Sequence, residues 1–133
     1  MLERSIMQSS GFRNIGPADA PSGFQLRIRL PNYRGQRLSL VDGVDVTVNG
    51  ERFDHADNLI AVGGKTYDLA TLRTETENRW PLDELATVIV AKPGGLPVGV
   101  HRVEVAVRIR QSYIPIEFQP SVISETRTAT IVF

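Results

Sequence analysis

The chain contains no cysteine. Disulfides, thiolate metal sites and a cysteine nucleophile are therefore excluded, and the composition fits a reducing compartment such as the cytoplasm. Lysine is almost missing too, with Lys65 and Lys92 alone against many arginines. Arginine suits planar, bidentate contacts with carboxylates. No stretch approaches the ~20 consecutive apolar residues needed to span a bilayer. The start, Met1-Leu2-Glu3-Arg4-Ser5-Ile6, lacks the apolar run of a signal peptide. Charge of one sign is lacking as well: Lys+Arg and Asp+Glu stand at 15 each. No net field draws this protein to nucleic acid or to a membrane surface. Helical periodicity is poor; only Asp68 to Glu77 and Asp83 to Ala86 have room for a turn or two.

What is present is alternation. Phe24, Leu26, Ile28 and Leu30 share one face of a strand, and Gln25, Arg27 and Arg29 share the other. Val44, Val46 and Val48 repeat the pattern before Asn49-Gly50, a two-residue hairpin signal in which both positions tolerate positive φ. Leu59–Val62 and Lys65–Leu69 flank a second such turn at Gly63-Gly64. Ala86, Val88 and Val90 form another run, and Arg102–Arg110 the longest, with Val103, Val105, Val107 and Ile109 inward. Val122–Phe133 supplies the last strand or two, and Leu2–Gln8 reads as a weaker early strand. Seven to nine short strands with Gly- and Pro-rich turns predict one all-β domain over residues 1–133. Its architecture is an antiparallel β-sandwich, immunoglobulin/fibronectin-like or jelly-roll-like. Within Gly94–Val105, Leu96 is expected to plug the core, Gly99 to take a tight turn, and His101 to start a strand with a ring nitrogen on backbone.

The search for chemistry yields no enzyme constellation. There is no HExxH, P-loop or dinucleotide fingerprint, and Ser39 and Ser112 have no base nearby in sequence. Asp54, His55 and Asp57 could bind a metal, against the plainer reading of a polar surface turn. Asp42 and Asp45 are an odd number of positions apart, hence on opposite faces of a regular strand. Arg27 and Arg29 would join Arg102, Arg108 and Arg110 in a basic patch if their strands shared a sheet; a solvated face is the plainer reading. Trp80 is a core plug or, with its neighbour Arg79, an interface residue. Tyr113 ends the long strand at an aromatic-proline corner, a position that could bring it near Tyr33. In Pro31–Ser39, PNYRGQRLS, turn chemistry accounts for Pro31 and Gly35. It does not account for Tyr33, Arg34 and Arg37. A β-sandwich without a self-sufficient site but with arginine-aromatic loops favours an accessory subunit or binding module.

Over residues 23–115 the sequence resembles the small β subunit of bacterial C-glycoside deglycosidases. The matching stretches are FQLRIRLPNYRGQRLSLVDGVDVTVNGE, GGKTYDL, RW at Arg79-Trp80, AKPGGLPVGVHRVEV and SYIP. The resemblance implies a heteromer with a larger TIM-barrel, xylose-isomerase-like α subunit that carries a divalent metal, usually Mn²⁺, and the catalytic base. Such a complex is a carbon–carbon lyase. It cleaves the bond between a 3-oxo sugar and an aromatic aglycone, as in flavonoid C-glucosides. On that reading this chain holds no catalytic residue, no metal and no cofactor. Tyr33, Arg34, Gly35, Arg37, Trp80 and Tyr113 would face the partner or shape its site. The alternatives are a stand-alone carbohydrate-binding or protein-interaction sandwich, and a small metal hydrolase built on His55.

Overall fold

A computed structural model describes residues 6–8, 10–31, 35–81, 83–110 and 120–132. Its strands are β1 (Arg13–Ile15), β2 (Gly23–Ile28), β3 (Gln36–Arg37), β4 (Val41–Val48), β5 (Glu51–Phe53), β6 (Leu59–Val62), β7 (Lys65–Tyr67), β8 (Arg79–Trp80), β9 (Ala86–Ala91), β10 (Gly99–Ile109) and β11 (Ser121–Ile131). They form a five-stranded sheet ordered β1-β2-β9-β6-β7, a four-stranded sheet ordered β11-β10-β4-β5, and a small β3-β8 ribbon. All pairings are antiparallel.

The alternation seen in the sequence becomes the filling between the two large sheets. Phe24, Leu26, Ile28, Ile60, Val88 and Val90 come from the first sheet; Val44, Val46, Val103, Val105, Val107 and Ile131 come from the second. All of them are buried in one continuous cluster, which is the arrangement that makes the fold an all-β sandwich.

Both hairpins form as their turn residues demand. Asn49 and Gly50 have φ of 50° and 89°, and Gly63 and Gly64 have 64° and 80°, the left-handed pair of a type I′ turn. Asn49 adds a side-chain clamp: its Oδ1 accepts from the Arg102 N–H (2.9 Å), and its amide nitrogen meets His101 Nδ1 at 2.8 Å. His101 Nε2 donates to the Pro97 carbonyl (2.7 Å), Leu96 is buried and Gly99 has φ 135°. The expected strand entry is therefore present as read.

Other expectations are adjusted. The region 68–77 yields one helix, α1 (Leu69–Thr74), started by an Asp68–Thr71 capping box and docked through buried Leu72; Asp83–Ala86 is not helical. The early strand reduces, in its described part, to a bridge between Met7 and Ile28. β1 then pairs with β2 from Arg13 to Ile15. The arginines of β2 and β10 lie in different sheets, so the shared basic patch does not exist.

Candidate functional site

β4 is not a regular strand. Its register against β10 runs Val107↔Val44 and then Ile109↔Val41, so a bulge falls between them. Gly43 sits there with φ 98°, a conformation glycine adopts without penalty. The extra residue resets the alternation: Val41 and Val44, three apart, both enter the core. Asp42 and Asp45 consequently share the outer face, which corrects the opposite-face expectation.

On that face Asp45 becomes the centre of an ion cluster. Its Oδ2 accepts from Arg108 Nε (2.8 Å). Its Oδ1 accepts from the His55 backbone N–H (2.7 Å), from His55 Nδ1 (2.9 Å) and from Arg52 Nη2 (3.3 Å). Arg52 also reaches Asp54 at 2.9 Å. Burial on its own would raise the Asp45 pKa, but the donors from His55 and Arg108 outweigh it and hold the carboxyl below its ordinary value. Asp54 is likewise held low, first by Arg52 and then by the Ala56 N–H. A row further along, Arg110 Nε lies 3.2 Å from Asp42 Oδ1, and Arg110 Nη2 donates to the Ser39 carbonyl at 2.8 Å.

Gly43 also makes room for this arrangement. A Cβ there would stand 3.1 Å from His55 Cβ and 3.2 Å from its carbonyl oxygen. The loop after β5 therefore lies flat on β4, held by Asn58, whose amide donates to the Val44 and Phe53 carbonyls. A shallow cleft of about 260 Å³ opens beside it, lined by Arg52, Phe53, Asp54, Asp57, Asn58 and Ala91.

The metal expectation named Asp54, His55 and Asp57. The structure instead gathers Asp45, Asp54 and His55, each with a ligand atom within 4.8 Å of the others. That donor set does not fit a divalent cation. Both Asp45 oxygens already accept from guanidinium groups, and Arg52 and Arg108 balance the two carboxylates, so an ion would have to displace two fixed positive charges. Nor is Asp45 a base in waiting, since its lone pairs are occupied. The cluster fastens a loop to a sheet. Sequence reading missed Arg52 and Arg108 in it; the Asp-Gly-Val-Asp spacing, with glycine inside a strand, is the signal that marks the bulge.

Of the resemblance residues, Gly35, Arg37 and Trp80 lie elsewhere, at the β3-β8 ribbon. Gln36 pairs with Trp80 and Arg37 with Arg79, so the QR of PNYRGQRLS and the RW stretch form one unit. A 3₁₀ turn (Leu38–Leu40) follows β3, and the Arg110 N–H donates to the Leu40 carbonyl at 2.8 Å. The end of β10 therefore leaves beside the same turn. Tyr33, Arg34 and Tyr113 lie outside the described residues.

At Gly35 small size matters, because a Cβ would stand 3.3 Å from the Trp80 carbonyl oxygen. Trp80 is fully buried, with its indole N–H on the Glu84 carbonyl (2.8 Å). From there it supports the ribbon. Arg37 and Arg79 are exposed directly across from each other. Arg79 donates to the Gly35 carbonyl at 3.3 Å. Among the described residues neither guanidinium makes an ion pair. Like charges facing each other across a ribbon repel, an arrangement that suits an incoming anionic group.

The fold and these sites define an all-β sandwich whose polar clusters are internally balanced, with one exposed cationic ribbon. Comparison with known proteins gives the family. The C-glycoside deglycosidase beta subunit family matches residues 2–113, and the chain belongs to it. The match starts well before residue 23, so the N-terminal segment is part of the family pattern. The C-glycoside deglycosidase beta subunit of Eubacterium cellulosolvens is 30% identical over 115 residues, covering 86% of this chain and 78% of that protein. The 3'-dehydrocarminate deglycosidase beta subunit of a Microbacterium species is 38% identical over 106 residues, covering 79% of each. A C-glycoside deglycosidase beta subunit of Arthrobacter globiformis is 31% identical over 86 residues, covering 65% of this chain and 61% of that protein. A beta subunit implies a partner subunit in a heteromer. Among the described residues no helix is long and apolar enough to cross a membrane.

Proposed function

We propose that this chain is the non-metal-bearing β subunit of a cytoplasmic lyase complex that cleaves the carbon–carbon bond between a 3-oxo sugar and an aromatic aglycone. Family membership over residues 2–113 is the observation that carries the reading. The name of the Microbacterium relative, a dehydro-glycoside deglycosidase subunit, supports an oxidised sugar as substrate. A ketone acidifies the neighbouring C–H, so proton abstraction followed by elimination expels the aglycone. The metal and base belong to a TIM-barrel α subunit with Mn²⁺ or a similar ion, which would stabilise the enolate as charge develops. This chain's part is docking: the Arg37–Arg79 ribbon, on its Trp80 support, meets an acidic patch of the partner, with Tyr33 and Arg34 in the adjoining loop.

The test is co-expression with a TIM-barrel partner encoded beside it, followed by assay on a 3-oxo-C-glucoside with Mn²⁺. A stable complex with activity that neither chain has alone is expected. Full activity of the partner by itself, or no complex, would refute the proposal.

A further inference from the structure

The outer strands β1, β5 and β7 are three residues each. β11 is also an edge strand, yet it runs for eleven residues and pairs with β10 along its whole length without a register shift. Soluble proteins usually protect such an edge with a lysine, a bulge or a very short strand. β11 has no lysine and no bulge. Its outward side chains are Val122, Ser124, Thr126, Thr128, Thr130 and Val132, uncharged and exposed.

The direction of its free groups follows from the ladder. Asn49 N–H donates to the Arg102 carbonyl on the β4 side of β10, so the even-numbered residues of β10 point that way and the odd ones point to β11. With His101 opposite Ala129 and Val103 opposite Arg127, the odd residues of β11 face β10. Val122, Ser124, Thr126, Thr128 and Thr130 therefore turn N–H and C=O to the open edge, where no strand pairs with them among the described residues. Pro120, on the same parity, has no N–H to offer and ends the ladder.

We infer that this edge pairs with β11 of a second copy, antiparallel, about a twofold axis at Thr126. In that register Thr126 meets its own counterpart as a hydrogen-bonded pair, Ser124 meets Thr128, and Val122 meets Thr130. Glu125 falls opposite Arg127 and Arg127 opposite Glu125, in the closely spaced positions of the ladder. The strand is thus self-complementary in hydrogen bonding and in charge. A slip of two residues would lose the charge match. Glu125 and Arg127 are already held in place, since Glu125 accepts from the Ile6 and Met7 N–H groups (3.0 Å each) and Arg127 donates to the Met7 carbonyl (2.7 Å). The product is one continuous sheet running through both sandwiches. β11 lies beyond residues 2–113, the stretch that matches the family.

The absence of cysteine makes the register directly testable on the full chain, alone and with its partner subunit. Opposed residues of a hydrogen-bonded pair have Cα atoms about 5.5 Å apart, within disulfide range. Under mild oxidation Thr126→Cys is expected to cross-link to itself, whereas Thr130→Cys, whose counterpart is Val122, is not. Light scattering should report a dimer. Thr126→Pro removes an N–H that no strand pairing uses among the described residues. It should weaken dimerisation about thirtyfold and leave the melting temperature of the dilute chain unchanged. A monomer at every concentration, or equal cross-linking at both cysteines, would overturn the inference.

Discussion

Replacing Gly43 with alanine tests the bulge on which the Asp45 cluster depends. Two effects add. The residue has φ 98°, and an alanine forced into that region costs about 1–2 kcal/mol. The new methyl would also press on His55, at 3.1 Å from Cβ and 3.2 Å from the carbonyl oxygen. The loop cannot retreat freely, because its N–H is held on Asp45 at 2.7 Å; overpacking of this kind adds about 1–2 kcal/mol. The sum is about 2–4 kcal/mol. For a domain of this length each kcal/mol lowers the melting temperature by roughly 3–4 °C, so Gly43→Ala should melt about 7–14 °C lower. Gly50→Ala is the control. Gly50 has φ 89° but nothing within 4 Å of a Cβ, so it should lose only the backbone part, about 4–7 °C. Both variants are compared by calorimetry and by urea unfolding. Equal losses would mean that His55 does not lie against β4 as described. A stabilised Gly43→Ala would refute the bulge itself.

Other expectations follow from the same geometry. The folded Asp45 carboxyl titrates below its unfolded value near 3.8, so its contribution is complete above about pH 5 and is lost as pH falls through the folded pKa. Asp45→Asn should flatten the acid limb of a stability-against-pH curve and lower stability at neutral pH by about 1–3 kcal/mol; an unchanged acid limb would argue against the cluster. Trp80→Phe keeps the ring in the core but leaves the Glu84 carbonyl without its indole donor, and should destabilise by about 1–2 kcal/mol in urea titrations. Arg37→Ala with Arg79→Ala removes an exposed, mutually repelling pair. The melting temperature of the chain alone should stay level or rise slightly while heteromer affinity falls at least about tenfold. Arg34→Ala should weaken assembly or activity far more than it lowers the melting temperature. Equal losses in both properties would assign that loop to the fold.

The sequence by itself determined the fold class, because a period of two can bury its apolar set only in a sheet with one covered face. It also determined both hairpins, since Asn49-Gly50 and Gly63-Gly64 combine the needed left-handed angles at adjacent positions. His101 and Leu96 were legible because a short local motif fixes them. The family was legible in PNYRGQRLS and its companion stretches, which no β-sandwich requires. Tertiary structure decided what depended on register and on which sheet a strand joined. One extra residue at Gly43 moved Asp42 and Asp45 to a common face, and alternation counted from a single strand cannot see such a shift. Arg27 of β2 and Arg102 and Arg108 of β10, whose alternation looked alike, fell on different sheets. Asp45 replaced Asp57 beside His55 because the loop folds back on β4 instead of continuing outward. The unguarded edge of β11 also belongs to the assembled sheet: an edge exists only once the order of strands is set.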